Sequence, residues 1–136
     1  MSEHRHDFSR SKGDTFLTDG GLETTLVFHE GIDLPHFAAF PLVDSAEGRA
    51  ALRRYYRRYL GLAADAGLGF VLDTPTWRAN ADWAPRLGYD LAGLRRVNLH
   101  SVAFLRELRA EWADRVSPLL IDGVIGPRGD GYQDGP

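Results

Sequence analysis

The sequence predicts an α/β fold in which parallel strands alternate with helices. Three short apolar, β-prone segments, at residues 15–18, 69–73 and 118–126, have the length and composition of buried strands. Amphipathic segments of helical period lie between them. Parallel neighbours need such crossovers, which are nearly always right-handed. The order therefore predicts a βαβαβ unit whose helices cover one face of a curling sheet or both faces of a flat one.

The first strand, TFLT, leads into a short helix and then a loop. Leu22, Leu26 and His29 recur at helical intervals before Gly31, which predicts a helix over residues 22–30. The next segment, IDLPHFAAFPLV, carries two prolines and predicts an ordered loop.

A long helix is predicted between Asp44, as N-cap with Glu47 as its reciprocal partner, and Gly67. One face of this helix is apolar and consists of Leu52, Tyr55, Tyr56, Tyr59, Leu62, Ala63 and Ala66. The arginines of RRYYRR then form a solvated face opposite the core. A phosphate-binding patch is the alternative interpretation of this basic cluster.

The second strand, GFVLD, is followed by two further helices. Asn80 or Asp82 is predicted to cap a brief helix that ends at Gly88, and Asp90 to cap a longer one. In the longer helix one stripe holds Leu94, Val97, Ser101, Phe104, Leu105, Leu108 and Trp112. His100 lies at the margin of that stripe, which predicts a structural role for it.

Composition and charge exclude several classes of partner. The 136 residues are 43% hydrophobic and 26% charged, as in a globular domain with a core. A net charge of −3 gives no general attraction to nucleic acid or to an anionic membrane. No apolar run is long enough to span a bilayer, and the polar start lacks the apolar core of a signal peptide. We therefore expect a cytoplasmic protein with a disordered polar leader over residues 1–14.

Cysteine is absent, which removes disulfides, thiol nucleophiles and thiolate metal ligands from the sequence. The five histidines lack zinc-like spacing. The glycines match neither the dinucleotide nor the nucleoside triphosphate fingerprint, and no G-x-S-x-G frames a nucleophile. The tripeptide RGD at residues 128–130 has the composition of a cell-adhesion motif, for which chance is the favoured explanation.

Each predicted strand ends in polar residues or glycine: DGG after the first, DTPT after the second and GPRGDG after the third. The carboxyl ends of parallel strands share one rim, where α/β folds bind ligands. There Gly20 and Gly21 would let the backbone approach a ligand closely, and Asp19 offers an acceptor to an ammonium or hydroxyl group. A plain strand-to-helix turn with an Asx-type bond is the alternative.

Three blocks at these positions, DGGLETTL, AADAGLGFVLDTPTWRAN and GVIGPRGDGY, resemble the N-terminal part of the homocysteine S-methyltransferase family. The resemblance runs from Thr15 to Tyr132 with the same order and spacing. It implies a TIM (β/α)8 barrel that binds homocysteine at its C-terminal rim and methylates the sulfur from a second small molecule, the methyl donor. Residues 15–136 are then expected to be the N-terminal part of this barrel, about its first three βα units with parallel strands.

The resemblance also implies substrate-binding residues. Asp19 and Gly20 would hold the ammonium and carboxylate groups of the amino acid. Thr74 would line the same pocket, and Gly126 would let the third loop pass close to the ligand. These four residues form the predicted substrate site.

The family's zinc is held by three cysteines, so the resemblance implies zinc for the complete enzyme, whereas this sequence contains no cysteine. We therefore expect neither a metal ligand nor a catalytic residue in this chain. Glu23 and Arg78 stand where the family varies, and the resemblance gives them no role.

Strand number predicts an incomplete barrel. Three parallel strands leave two unpaired edges, and closing a barrel of this class takes about eight strands. We expect a truncated chain, inactive alone, that is completed by a missing C-terminal half or by an oligomer partner. Two alternatives stay open: a non-catalytic module that binds the amino acid, and an unrelated small oligomeric α/β domain.

Overall fold

The computed structural model describes residues 15–134 and shows a mixed α/β fold. The leader predicted over residues 1–14 lies outside the described residues. Strands β1 (Phe16–Thr18), β2 (Gly69–Asp73) and β3 (Leu119–Asp122) form one sheet in the order β1-β2-β3. Both pairs are parallel, which confirms the predicted alternation of parallel strands and helices.

The register brings the carboxyl ends of the three strands to one side of the sheet. Thr18 pairs with Val71, and Asp73 pairs with Asp122. Because β2 is central, the loop that leaves it lies between the loops that leave β1 and β3. The third strand is shorter than predicted, and residues 123–126 belong to its exit loop.

The connection from β1 begins with a helix, as predicted. Gly21 adopts a left-handed conformation with φ of 64°, which glycine takes without steric cost. Helix α1 (Leu22–Thr24) follows and continues as a π-helical stretch over Thr25–His29. The proline-containing segment forms two 3-10 turns, Pro35–Phe37 and Phe40–Asp44.

The predicted N-cap of the long helix is wrong by one residue. Helix α2 (Ala46–Ala66) is capped by Ser45, whose hydroxyl oxygen accepts a hydrogen bond from the Gly48 amide at 2.9 Å. The carboxylate of Asp44 instead accepts a hydrogen bond from the hydroxyl of Tyr89 at 2.7 Å. The Asp44 carboxylate therefore forms a tertiary hydrogen bond with Tyr89 and does not cap the helix.

The buried face of α2 differs from the predicted one at Leu60, which is fully buried, and at Leu62 and Ala66, which are exposed, Leu62 by 59%. The arginines of RRYYRR lie on the opposite side and pair with carboxylates. These ion pairs are Arg53 with Glu107 and Glu111, Arg57 with Glu111, and Arg54 and Arg58 with Glu30. They favour the predicted solvated face over a phosphate-binding patch, because the cations already have anionic partners.

Helix α3 (Leu91–Trp112) matches its prediction closely. Asp90 caps it by accepting a hydrogen bond from the Gly93 amide at 2.7 Å, and the predicted stripe is buried except for Leu94, which is half-buried. Neither this helix nor any other within residues 15–134 is long and apolar enough to cross a membrane.

The brief helix before α3 is a 3-10 turn, Ala84–Leu87, that ends at Gly88 as predicted. Its first residues have no side-chain cap. Asn80 instead accepts a hydrogen bond from the amide of Asp82 at 3.0 Å. The predicted caps are therefore wrong, because both polar side chains belong to the loop that leaves β2.

One apolar core joins the sheet to the helices. Phe70 and Leu72 of β2 are fully buried and pack in the same cluster as residues of α2 and α3. Side chains alternate across a strand, so Val71 and its neighbour Leu120 face the other side of the sheet, where they are half-buried. Both long helices thus pack on one face of the sheet.

Glycine 48 provides a test of the packing at the start of α2. A Cβ atom on Gly48 would lie 2.7 Å from Leu42 Cα, 2.8 Å from the Leu42 carbonyl carbon, and still closer to its carbonyl oxygen. We expect Gly48→Ala to lower the free energy of unfolding by about 1–3 kcal/mol, the scale of overpacking. Gly61→Ala, in the same helix with nothing within 4 Å, should raise it by about 0.5–1 kcal/mol. Urea denaturation followed by circular dichroism measures both, and equal effects would contradict this packing.

Candidate functional site

The loops that leave the three strands meet at the carboxyl end of the sheet. The loops after β2 and β3 share hydrogen bonds, and the negative charge of Asp19 after β1 acts on Asp73 at the end of β2. Asp19 and Gly20 follow β1, Thr74 follows β2, and Gly126 lies in the loop after β3. The four predicted site residues therefore lie at one end of the sheet.

Asp19 has one carboxylate oxygen bonded and one free of protein partners. The hydroxyl of Tyr55, from α2, donates a hydrogen bond to Asp19 Oδ2 at 2.7 Å. Asp19 Oδ1 is buried and has no hydrogen-bond partner among residues 15–134. Burial raises the pKa of Asp19 despite the opposing effect of the Tyr55 hydroxyl. A buried oxygen that lacks a donor favours a ligand that brings one, such as an ammonium group.

Gly20 presents its carbonyl to the protein and leaves space beside its Cα. The hydroxyl of Tyr59 donates a hydrogen bond to this carbonyl at 2.9 Å, and the hydroxyl of Tyr55, 3.0 Å away, shares its single proton between this carbonyl and Asp19 Oδ2. A Cβ atom on Gly20 would meet no atom within 4 Å, whereas the neighbouring Gly21 is required for its left-handed φ. Gly21 thus forms the turn, whereas the close approach of a ligand at Gly20 stays a prediction.

Thr74 joins the loops that follow β2 and β3. Its hydroxyl oxygen accepts a hydrogen bond from the Val124 amide at 2.9 Å, and the Thr76 hydroxyl donates to the Val124 carbonyl at 2.7 Å. The two hydroxyl oxygens lie 2.7 Å apart. Because the proton of Thr76 is used by Val124, Thr74 donates to Thr76. The hydroxyl of Thr74 therefore has a structural role, and its contact with a substrate stays a prediction.

Gly126 lies directly against the loop that leaves β2. A Cβ atom here would lie 2.9 Å from both the carbonyl carbon and Cδ1 of Trp77. The close approach of two protein loops accounts for this glycine without a ligand. Passage of the third loop close to a ligand stays a prediction.

The RGD tripeptide is held by the loop after β2. Arg128 donates hydrogen bonds to both carboxylate oxygens of Asp82, at 2.7 Å and 2.6 Å, and the Gly129 amide donates to Asp82 Oδ2 at 2.7 Å. Hydrogen bonds from Arg128 and Gly129 lower the pKa of Asp82 to about 2. Asp130 pairs with Arg78 at 3.4 Å. The tripeptide is thus part of the rim, which supports chance as the source of its adhesion-like composition.

Arg78 and Glu23 also belong to the rim, although the resemblance implies no role for either. Arg78 is only 6% exposed, and its guanidinium carbon lies 3.7 Å from the ring centroid of Trp83 and 4.6 Å from that of Trp77. Burial raises the pKa of Glu23, the charge of Asp19 adds to this effect, and the charge of Arg78 opposes it. The signal for Arg78 was its position in TPTWRAN, directly after a predicted strand.

Asp73, at the end of β2, has a raised pKa. Burial and then the negative charges of Asp19 and Asp122 raise its pKa to about 6. Its backbone carbonyl accepts a hydrogen bond from the Tyr56 hydroxyl at 2.6 Å. The rim is therefore acidic, with Arg78 as a buried cation beside it.

The residues that the structure describes do not fit a zinc site. Among them, no group of three or more His, Cys, Asp or Glu side chains is arranged to hold a metal ion. The full sequence has no cysteine to supply the thiolates that the resemblance implies.

Comparison with known proteins gives one match. A family model described as homocysteine S-methyltransferase matches residues 16–136. No curated protein and no solved structure matches the chain significantly. The matched segment contains all three strands and their exit loops.

Thr74→Val tests the hydroxyl link between the two loops. This change leaves the partly buried amide of Val124 without its acceptor, and we expect the free energy of unfolding to fall by about 1–3 kcal/mol. Thr74→Ser keeps the hydroxyl and should lose only about 0.8 kcal/mol for the missing methyl group. Urea denaturation measures both changes. Equal losses for the two variants would show that the hydroxyl is not responsible.

Asp73→Asn tests the pKa of about 6. A carboxyl group whose pKa is higher in the folded state stabilises folding below its ordinary pKa, and that contribution is lost as the pH rises through about 6. Asp73→Asn should therefore raise the urea midpoint relative to the original protein at pH 7, with a smaller gain at pH 4. Asp65→Asn, which changes an exposed carboxylate of α2, is the control. A gain from Asp73→Asn that is the same at both pH values would contradict this account.

Proposed function

Because the chain belongs to the homocysteine S-methyltransferase family, we propose that it forms the amino-acid-binding wall of an enzyme that methylates the sulfur of homocysteine. The observation that carries the proposal is the buried, unpaired Oδ1 of Asp19 beside the open space at Gly20. An ammonium group would supply the donor that Asp19 lacks, and the Gly20 amide would bind the carboxylate. Homocysteine offers both groups on one carbon atom.

The aromatic residues of α2 support this proposal, because they hold the acceptor in place before a ligand arrives. Tyr55 binds Asp19 Oδ2 and the Gly20 carbonyl, and Tyr59 binds the same carbonyl. These hydrogen bonds direct Asp19 through one oxygen and leave the other for the substrate. A site held in this way loses less conformational entropy on binding than a mobile one.

We further propose that the three-stranded sheet is part of a TIM (β/α)8 barrel. Both long helices pack on one face of the sheet, and the strands follow one another in space as in the chain. These features are those of a barrel wall, in which helices surround a curling parallel sheet. The partners in this proposal are homocysteine, a small methyl donor, and the remaining half of the barrel or an oligomer partner, in the cytoplasm.

The chemistry at sulfur is not assigned to residues of this chain. A thiolate is the nucleophile in methyl transfer, and a free thiol has a pKa of about 8.5. The acidic rim opposes a second negative charge, and no described residue fits the zinc that would activate the thiol. We therefore propose that the 136-residue chain alone binds the amino acid without methylating it. A binding module without catalysis is the second candidate, and the absence of cysteine favours it.

Asp19→Asn tests the proposed binding site. We expect the chain to bind L-homocysteine in isothermal titration calorimetry, and Asp19→Asn to weaken this binding by about 1.5–3 kcal/mol, because one charged hydrogen bond is lost. Asp65→Asn removes the same charge from the exposed part of α2 and should leave the affinity unchanged. The same affinity for the Asp19 variant and the original chain would remove Asp19 from the site. A mass-spectrometric search for methylated product distinguishes a binding module from an enzyme.

A further inference from the structure

Arg78 is a buried cation that has fewer hydrogen-bond acceptors among residues 15–134 than its guanidinium group has N–H donors. A guanidinium group has five N–H donors, yet within residues 15–134 its one anionic partner is Asp130, with Nη2 and Oδ1 3.4 Å apart. Its Nε is buried and has no hydrogen-bond partner among the same residues. Buried charges in proteins are normally paired and hydrogen-bonded, because desolvation without compensation is costly. Arg78 therefore has unused capacity to bind an anion.

The surroundings of Arg78 hold its guanidinium group in place. The rings of Trp83 and Trp77 lie within cation–π distance, and Trp83 is itself fixed by a hydrogen bond from its indole nitrogen to the Gly129 carbonyl at 2.7 Å. Aromatic contacts of this kind stabilise the cation without satisfying its N–H donors. The guanidinium group of Arg78 is thus charged and held in position, and some of its N–H donors have no acceptor among residues 15–134.

Arg78 and Asp19 lie on neighbouring exits of the same rim. Asp19 follows β1 and Arg78 lies in the loop after β2, and these two strands are paired in parallel. Glu23, at the start of the helix after β1, interacts electrostatically with both of them. The loops after β1 and β2 thus hold, among residues 15–134, a buried acceptor without a donor, Asp19 Oδ1, and a buried donor without an acceptor, Arg78 Nε.

We infer that Arg78 binds the carboxylate of the amino-acid ligand. This inference rests on the proposed function and adds a specificity residue to it. One carboxylate oxygen would accept from Arg78 and the other from the Gly20 amide, while the ammonium group binds Asp19. Asp130 competes for the same guanidinium group, so its charge limits the affinity.

The inference is tested by comparing the affinity of the chain for a ligand with a free carboxylate and for one without it. Calorimetry compares L-homocysteine with its methyl ester, which keeps the ammonium and thiol groups but has no negative charge. We expect the original chain to bind the acid about tenfold more tightly than the ester, the scale of one charge-assisted hydrogen bond. Arg78→Gln should remove this preference by weakening binding of the acid alone. Asp130→Asn keeps the cation, removes its competitor and should strengthen binding of the acid severalfold, with the ester unchanged.

The outcomes separate the inference from the proposed function. If Arg78→Gln binds the acid and the ester as the original chain does, the inference is overturned and the homocysteine site at Asp19 stands. If the original chain binds neither compound, both proposals are overturned. Should Arg78→Gln fail to fold, the Asp130→Asn variant decides: a gain confined to the acid supports the inference, and equal changes for acid and ester overturn it.

Discussion

Three tyrosine hydroxyls connect α2 to the carboxyl ends of β1 and β2, and the geometry of the rim depends on them. Tyr55 and Tyr59 bind the exit of β1, and Tyr56 binds the carbonyl of Asp73 at the end of β2. The rings contact one another at centroid distances of 5.3 Å and 5.2 Å, so the hydroxyls act from one packed surface. Without this support the carboxylate of Asp19 would have no fixed direction.

Some polar groups of the rim are hydrogen-bonded within the protein, and others are buried without a hydrogen-bond partner. Thr74, Thr76 and Asp82 form hydrogen bonds that connect the loop after β2 to the loop after β3. By contrast, Asp19 after β1 and Arg78 after β2 each have a buried polar atom without a hydrogen-bond partner among residues 15–134. Buried polar atoms are usually satisfied, so a ligand best explains these two at the rim. The carboxylate oxygens of Glu30 are also buried without a hydrogen bond, but they lie beside the cations of Arg54 and Arg58. The hydrogen bonds between the loops after β2 and β3 keep the shape of the rim in the absence of a ligand.

Much of the fold follows from local patterns. The strands and the stripe of α3 were predicted because the period of apolar residues reflects burial directly. Errors occurred where a tertiary contact competed with a local rule. Asp44 has the position and chemistry of an N-cap, but Tyr89 binds its carboxylate and leaves Ser45 to cap the helix. Leu62 lies within the predicted face of α2 but points outward, since Leu60 fills the core.

By itself, the sequence determined that polar exits follow three parallel strands and that Asp19 and Gly20 stand at the first of them, because strand order and parallel direction bring these ends together. Only the tertiary structure decided what each side chain does there. In the structure the hydroxyl of Thr74 forms a hydrogen bond with the loop after β3, and Arg78 is buried between aromatic rings beside the site. Hydrogen-bond partners distant in the chain depend on the meeting of separate loops, and no local periodicity records that meeting.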